Sequence, residues 1–241
     1  MAGSLKTEAV VLRSLRYGEA DRILHLYTAE HGRLGAIAKG VRKSRSRFGG
    51  RLEPCARVAL VLHRGRSDLM TVTGADTIAS HAHLREHAGA LDGAVRACDA
   101  VNRLFGDGEP HPPAFHLLCN ELALLDRAPE RATWGNQLAF RLKLLVAAGL
   151  APQLGSCAAC GEGEDLVGFS GAAGGVVCSA CEAGAFTLSE EAHVFMTGAL
   201  GAPLAEAPDA DPRALRQAER AITETAEHHA GVHLRDAVAR R

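Results

Sequence analysis

Cys157, Cys160, Cys178 and Cys181 are spaced C-x2-C-x17-C-x2-C. Two C-x-x-C knuckles with a hairpin-length insert form the sequence pattern of a tetrahedral four-thiolate zinc site. Each knuckle points two sulfurs at one ion, and the insert lets the chain reverse to bring in the second pair. Leu166, Val167 and Phe169 predict one strand, Gly171 to Gly175 the turn, and Val176 and Val177 the returning strand. The expected cofactor is one structural Zn2+ per chain. Four protein ligands leave no position for water or substrate, so this site argues against zinc catalysis. A redox dithiol explains one knuckle and leaves the other without a role. Cys55, Cys98 and Cys119 are expected to be small buried apolar residues.

A second group of residues suits phosphate chemistry. Gly32 to Leu52 reads GRLGAIAKGVRKSRSRFGGRL and holds Arg33, Lys39, Arg42, Lys43, Arg45, Arg47 and Arg51 without one acid. Guanidinium forks bind phosphate oxygens in pairs, Ser hydroxyls add neutral donors, and glycines let the backbone approach closely. Gly40 to Gly50 reads as a loop between strands. Rings are scarce here: residues 1–80 contain only Tyr17, Tyr27 and Phe48. Binding dominated by phosphates, with little sequence preference and steep salt dependence, is therefore expected. Phe48 is placed either to stack on a base or to lid a hydrophobic core, with the lid favoured.

His83-Leu-Arg-Glu86-His87 matches the inverted zinc-protease string H-x-x-E-H. It needs a helix, a third ligand and an open cleft, and short strings of this kind arise by chance. The sequence contains no G-x-x-x-x-G-K-[ST] phosphate loop. The chain is expected not to be an enzyme and to need no nucleotide.

These residues must be positioned by two kinds of structure. Up to about residue 80 the chain reads as five short strands: Glu8–Arg13, Arg22–Thr28, Arg33–Ala38, Arg57–His63 and Asp68–Thr73. Tyr17-Gly18-Glu19, Glu30-His31-Gly32, Phe48-Gly49-Gly50 and Arg64-Gly65-Arg66 supply the turns. Five strands in this length predict a small barrel, an OB-fold ahead of an SH3-like barrel. From about residue 82 the period becomes helical. Leu91, Val95, Cys98, Val101, Asn102 and Phe105 mark one helix. Phe115 to Leu125 mark a second after Pro112-Pro113, and Leu138 to Val146 a third closed by Gly149. Ser189 reads as an N-cap, Gly201 to Asp211 as a linker, and Pro212 to about Ala230 as a last helix, with Arg240-Arg241 ending the chain. The expected fold class is multidomain α+β. It comprises an N-terminal OB-fold barrel over 1–80, then an α-helical domain over 81–241 with a zinc ribbon at about 154–186.

The net charge of −1 over 241 residues hides an asymmetry. Residues 1–80 carry fourteen Lys/Arg against seven Asp/Glu, and residues 81–241 carry thirteen against twenty-one. The first segment is thus expected to meet an anionic partner. No run of eighteen apolar residues and no signal-peptide core are present, and seven cysteines suit a reducing cytoplasm.

Gly18-Glu19-Ala20-Asp21-Arg22, Tyr27-Thr28-x-x-x-Gly32, Ala38-Lys39-Gly40-Val41-Arg42-Lys43-Ser44 and Leu52-x-Pro54 resemble, in order and spacing, the bacterial DNA repair protein RecO family. The resemblance continues through a helical segment into the four-cysteine module. It implies an OB-fold, a helical bundle and an embedded zinc module. It also implies binding of single- and double-stranded DNA and annealing of complementary strands. Action with RecR to load RecA onto strands coated by single-strand-binding protein, whose acidic C-terminal tail is a further partner, is implied as well. So is a cytoplasmic location, at the nucleoid during repair. For that tail, Arg127, Arg131, Arg141 and Lys143 are candidates, with ordinary helix-face solvation favoured for them. The competing reading is an RNA-binding translation or transcription factor, since OB-folds and zinc ribbons occur there too.

Overall fold

The computed structural model describes residues 3–43, 45–65 and 69–238, and the chain forms two compact units, Met1–Arg127 and Ala128–Arg241. Ser44, Arg66, Asp68, Arg240 and Arg241, which figure in the sequence reading, lie outside the described residues.

The first unit opens with β1 (Ser4–Tyr17), β2 (Asp21–Thr28), β3 (Gly32–Ala38), β4 (Arg57–His63) and β5 (Met70–Ala79). They close into a barrel in the order β1-β2-β3-β5-β4. Every neighbouring pair is antiparallel except β3 and β5, which run parallel. Five strands closed in this order make an OB-fold. Alternate residues turn inward, as the strand period of two requires. Leu24 and Leu26 of β2, Ala36 and Ala38 of β3, and Val58, Leu60 and Leu62 of β4 fill the barrel with Met70 and Val72. Phe48 and Leu52, from the β3–β4 connection, complete the same core.

Two strands exceed their sequence-based bounds because closure makes each serve two neighbours. The first half of β1 pairs with β4 (Ser4↔His63 to Val10↔Arg57) and its second half with β2 (Ala9↔Thr28 to Tyr17↔Asp21). An irregularity between Val11 and Arg13 bends it from one partner to the other. Similarly, β5 follows β4 as far as Ala79↔Arg57, so Gly74 lies opposite Val61 within a strand.

Two helices complete this unit, α1 (Ala88–Leu104) and α2 (Pro112–Arg127). Tyr27 is fully buried, its ring 5.5 Å from that of Phe105 and 6.5 Å from that of Phe115. The buried face of α1 agrees with the expected one at Cys98 and Val101 and differs from it at Val95. It is made of Ala90, Gly93, Ala94, Ala97, Cys98 and Val101, whereas Val95 is exposed. Small side chains let a helix pack closely, and periodicity judged by large residues missed that stripe. Gly32 has φ +61°, and a Cβ there would lie 2.1 Å from the Glu109 carbonyl oxygen, so only glycine fits this close approach.

The second unit contains α3 (Trp134–Ala147), α4 (Glu190–Gly201) and α5 (Pro212–Ala230), with a small sheet of β6 (Leu166–Ser170), β7 (Gly175–Cys178) and β8 (Phe186–Thr187) in the order β7-β6-β8. Leu138, Phe140, Leu142, Leu144, Leu145, Phe195, Met196, Ala218 and Ile222 are among the fully or nearly fully buried apolar residues on these helices. Side chains cap all three helices: Thr133 accepts from Asn136 N, Ser189 from Ala192 N, and Asp211 from Arg213 N and Ala214 N. Among the described residues, no helix is long and apolar enough to cross a membrane.

Candidate nucleic-acid interface and metal centre

The β3–β4 connection carries the basic run, and the β1–β2 hairpin holds it in place. The Gly40 N–H donates to Asp21 Oδ1 at 2.7 Å. The Arg42 N–H donates to the Ala20 carbonyl at 2.9 Å, and the Arg42 guanidinium to the Glu19 carbonyl at 3.1 Å. At the far end of the connection, Arg22 pairs with Glu53 at 3.1 Å and donates to Ser14 Oγ at 3.2 Å. The hairpin residues Glu19, Ala20, Asp21 and Arg22 thus act as a two-ended clamp on the loop. Between the ends, Phe48 and Leu52 anchor the loop by burial in the barrel. Phe48 is 2 % exposed, so it is a lid and not a stacking platform.

Lys39, Arg42, Lys43, Arg45, Arg47 and Arg51 are all exposed on this clamped loop. Arg47 reaches toward the Val72 carbonyl at 3.4 Å and stacks on Phe48 at 4.7 Å from the ring centroid, and Arg51 donates to the Arg47 carbonyl at 3.0 Å. Among the described residues none of the six makes an ion pair with an acid. Arg33 stands apart: it lies on β3, ion-paired to Asp107 at 2.6 Å and hydrogen-bonded to the Asn102 carbonyl. Its charge is committed within the unit, so it fastens the barrel to the end of α1.

The hairpin also presents residues that the sequence reading did not single out. Arg13, Arg16 and Tyr17 are exposed near its tip, Tyr17 at 53 %. Tyr27 is enclosed, and burial holds its phenol well above the usual range, so Tyr17 is the exposed ring of the barrel.

The four cysteines of the second unit come together as their spacing predicts. All four Sγ atoms lie within 4.8 Å of one another, and Cys160 Sγ is 3.7 Å from Cys178 Sγ. Four sulfurs about 2.3 Å from a central ion in a tetrahedron lie roughly 3.8 Å apart, so the donor set fits a thiolate-bound metal. The β6–β7 hairpin forms as expected, with Leu166 opposite Cys178 and Ser170 opposite Gly175. The short third strand β8 was not anticipated, because two residues carry no period. A Cβ on Gly175 would lie 2.2 Å from the Gln153 carbonyl oxygen, so glycine lets the chain before the first knuckle lie against the hairpin. The Cys157 thiol is held down at about 6, chiefly by the Cys178 backbone N–H and also by those of Cys160 and Ala159. Proton sharing with Cys160 and Cys178 pushes Cys181 up to about 12. One thiolate forms readily, and a cation is what permits four. Glu162, Glu164, Asp165 and Glu182 are exposed around the knuckles, an environment that repels phosphate.

Most of the remaining sequence candidates have structural roles. His83 lies in a single 3-10 segment, Ala82–Glu86, where it faces Asp126 at 3.5 Å, and His87 is extended. The two histidines are not on one helix face, and the four cysteines are the metal-capable cluster among the described residues. Arg141, considered for an acidic tail, is 2 % exposed. It donates to the Arg235 carbonyl at 2.5 Å and the Asp236 carbonyl at 3.1 Å, with Glu219 3.8 Å away. Lys143 donates to the Leu200 carbonyl at 2.8 Å, and burial lowers its pKa. Arg127 and Arg131 remain exposed. Cys55, Cys98 and Cys119 are buried as expected, and burial pushes the Cys119 thiol up to about 11.

Two family models match the chain: "Recombination protein O N terminal" over residues 1–81 and "Recombination protein O C terminal" over residues 86–237. Curated relatives agree along most of the length. A DNA repair protein RecO of Anaeromyxobacter dehalogenans (strain 2CP-C) is 40% identical over 238 residues, covering 94% of this chain and 92% of the relative. The protein of that name from Rubrobacter xylanophilus is 39% identical over 226 residues, covering 90% and 88%. The one from Bifidobacterium adolescentis is 42% identical over 179 residues, covering 72% of each chain.

Proposed function

Because the chain belongs to the RecO family of DNA repair proteins, we propose that it is a non-enzymatic mediator of homologous recombination. It binds single- and double-stranded DNA through the loop cations Lys39, Arg42, Lys43, Arg45, Arg47 and Arg51, extended by Arg13, Arg16 and Tyr17 of the clamping hairpin. The observation that carries this reading is the loop itself: six exposed cations on a connection fixed at both ends and free of ion pairs to acids. Such a surface neutralises the backbone of either strand and leaves base edges free to pair, which is what annealing requires. In the cell the protein acts in the cytoplasm at the nucleoid, with RecR. It helps load RecA onto strands coated by single-strand-binding protein and engages that protein's tail. The functional division is a DNA-binding barrel over residues 1–80 and a helical domain over 81–241 carrying one structural Zn2+ on Cys157, Cys160, Cys178 and Cys181. Held on these four sulfurs, the metal would fix the β6–β7 hairpin and would have no open position for chemistry.

The test is annealing of complementary oligonucleotides without nucleotide, alongside binding of DNA and RNA of equal length at fixed salt. Accelerated annealing with DNA bound at least as tightly as RNA is the expected result. Tight RNA binding without DNA annealing would instead favour an RNA-binding factor.

A further inference from the structure

Residues 128–241 carry nine Lys/Arg against fourteen Asp/Glu. Against that acidic background, Arg213, Arg216 and Arg220 lie three and four residues apart on α5, hence on one helix face, and all are exposed. They line a groove of about 400 Å³ with Phe186, Thr187 and Gln217, and no acid lines it. We propose that this groove is a second contact for single-stranded DNA, resting on the DNA-binding reading above.

The three arginines differ in commitment. The Arg220 guanidinium stacks 4.1 Å from the Phe186 ring centroid and pairs with Glu224 at 2.8 Å. One face of that plane is used, and the other is available to a nucleobase, since guanidinium planes and aromatic rings both stack bases without regard to sequence. Arg213 and Arg216 make no ion pair among the described residues, and they lie roughly 4.5 Å apart along the helix axis, a spacing that suits a chain of phosphates. The nearby acids are occupied: Glu224 ties Arg220, and Asp211 caps α5 while Glu191 accepts from the Asp211 N–H.

The floor is built before any ligand arrives. Gln217 donates to the Thr187 carbonyl at 3.0 Å and accepts from the Ser189 N–H and hydroxyl at 3.0 and 2.6 Å, fixing α5 against β8. β8 pairs with Gly168 and Phe169, away from the Leu166 end of β6 that meets Cys178 and the acidic knuckles. Phe186 is only 9 % exposed beneath Arg220. Three guanidiniums along one face match a polyanion, which favours a polynucleotide as the occupant.

The test compares the full-length protein with R213A/R216A for binding a fluorescent single-stranded oligonucleotide across salt, and for annealing. Two lost phosphate contacts flatten the slope of log K against log salt by about 1.4 units. Annealing slows and R213K/R216K restores both, while metal content and helicity stay at wild-type levels. A double-alanine variant with wild-type slope and annealing overturns the inference. So does one that keeps both but loses affinity for an acidic peptide ending in phenylalanine, which would make the groove a peptide receptor. If the wild-type protein binds no DNA, the DNA-binding reading itself has failed. If it binds DNA and only the α5 variant is silent, the second contact alone has failed.

Discussion

At the scale of single residues, the same side-chain type serves opposite ends. Arg42, Lys43 and Arg45 are exposed and unpaired with acids, whereas Arg141 is buried and Arg33 is held by Asp107. Spacing in the sequence cannot separate these cases, because commitment depends on partners far along the chain: Asp107 for Arg33, and Arg235, Asp236 and Glu219 for Arg141. Arg141 ties the segment after α5 to α3, and a buried guanidinium of this kind is costly to remove because its acceptors are left without a donor. Arg141→Met should destabilise the second unit by about 3 kcal/mol, read as a lower urea midpoint at unchanged slope. A change below about 0.5 kcal/mol would show that the segment is held by other means.

At the scale of elements, local chemistry made much of the structure legible. Ser189 announced α4, Pro212 announced α5, and the two knuckles announced the hairpin between them, because caps, prolines and metal spacings act over a few residues. The lengths of β1 and β5 were hidden, since barrel closure alone decides where they stop. The alanine part of the packed face of α1 was hidden, because small side chains carry little apolar signal. The clamp formed by the β1–β2 hairpin could be seen as a motif, but its purpose needed the hydrogen bonds from Gly40 and Arg42 and the Arg22–Glu53 pair. The four-sulfur module makes the sharpest prediction at this scale. Cys178→Ser removes a buried ligand and should lower the metal content well below one ion per chain. The thermal transition of the second unit should fall with it, because metal binding and folding are one equilibrium in small thiolate sites. A variant with full metal occupancy and an unchanged transition would contradict a structural role.

For the whole molecule, charge is divided between regions. Exposed cations without acidic ion-pair partners are dense on the barrel loop and include Arg213 and Arg216 of α5, and acids surround the cysteine knuckles. The family boundary between residues 81 and 86 and the compact-unit boundary at Arg127 mark different things. The barrel is complete as a closed sheet by Ala79, yet Tyr27 is covered only when Phe105 and Phe115 of the following segment close over it.

The central claim is that the clamped loop is the main DNA surface, and a salt titration of the triple variant Arg42→Ala, Lys43→Ala and Arg45→Ala tests it most directly. With four to six phosphates neutralised on a single strand, the wild-type slope of log K against log salt should be roughly −3 to −4. The variant should be flatter by about two units, weaker on every sequence alike and slower in annealing, with metal content and helicity unchanged. A triple variant that binds and anneals DNA with the wild-type slope would contradict the account and place the DNA surface elsewhere on the chain.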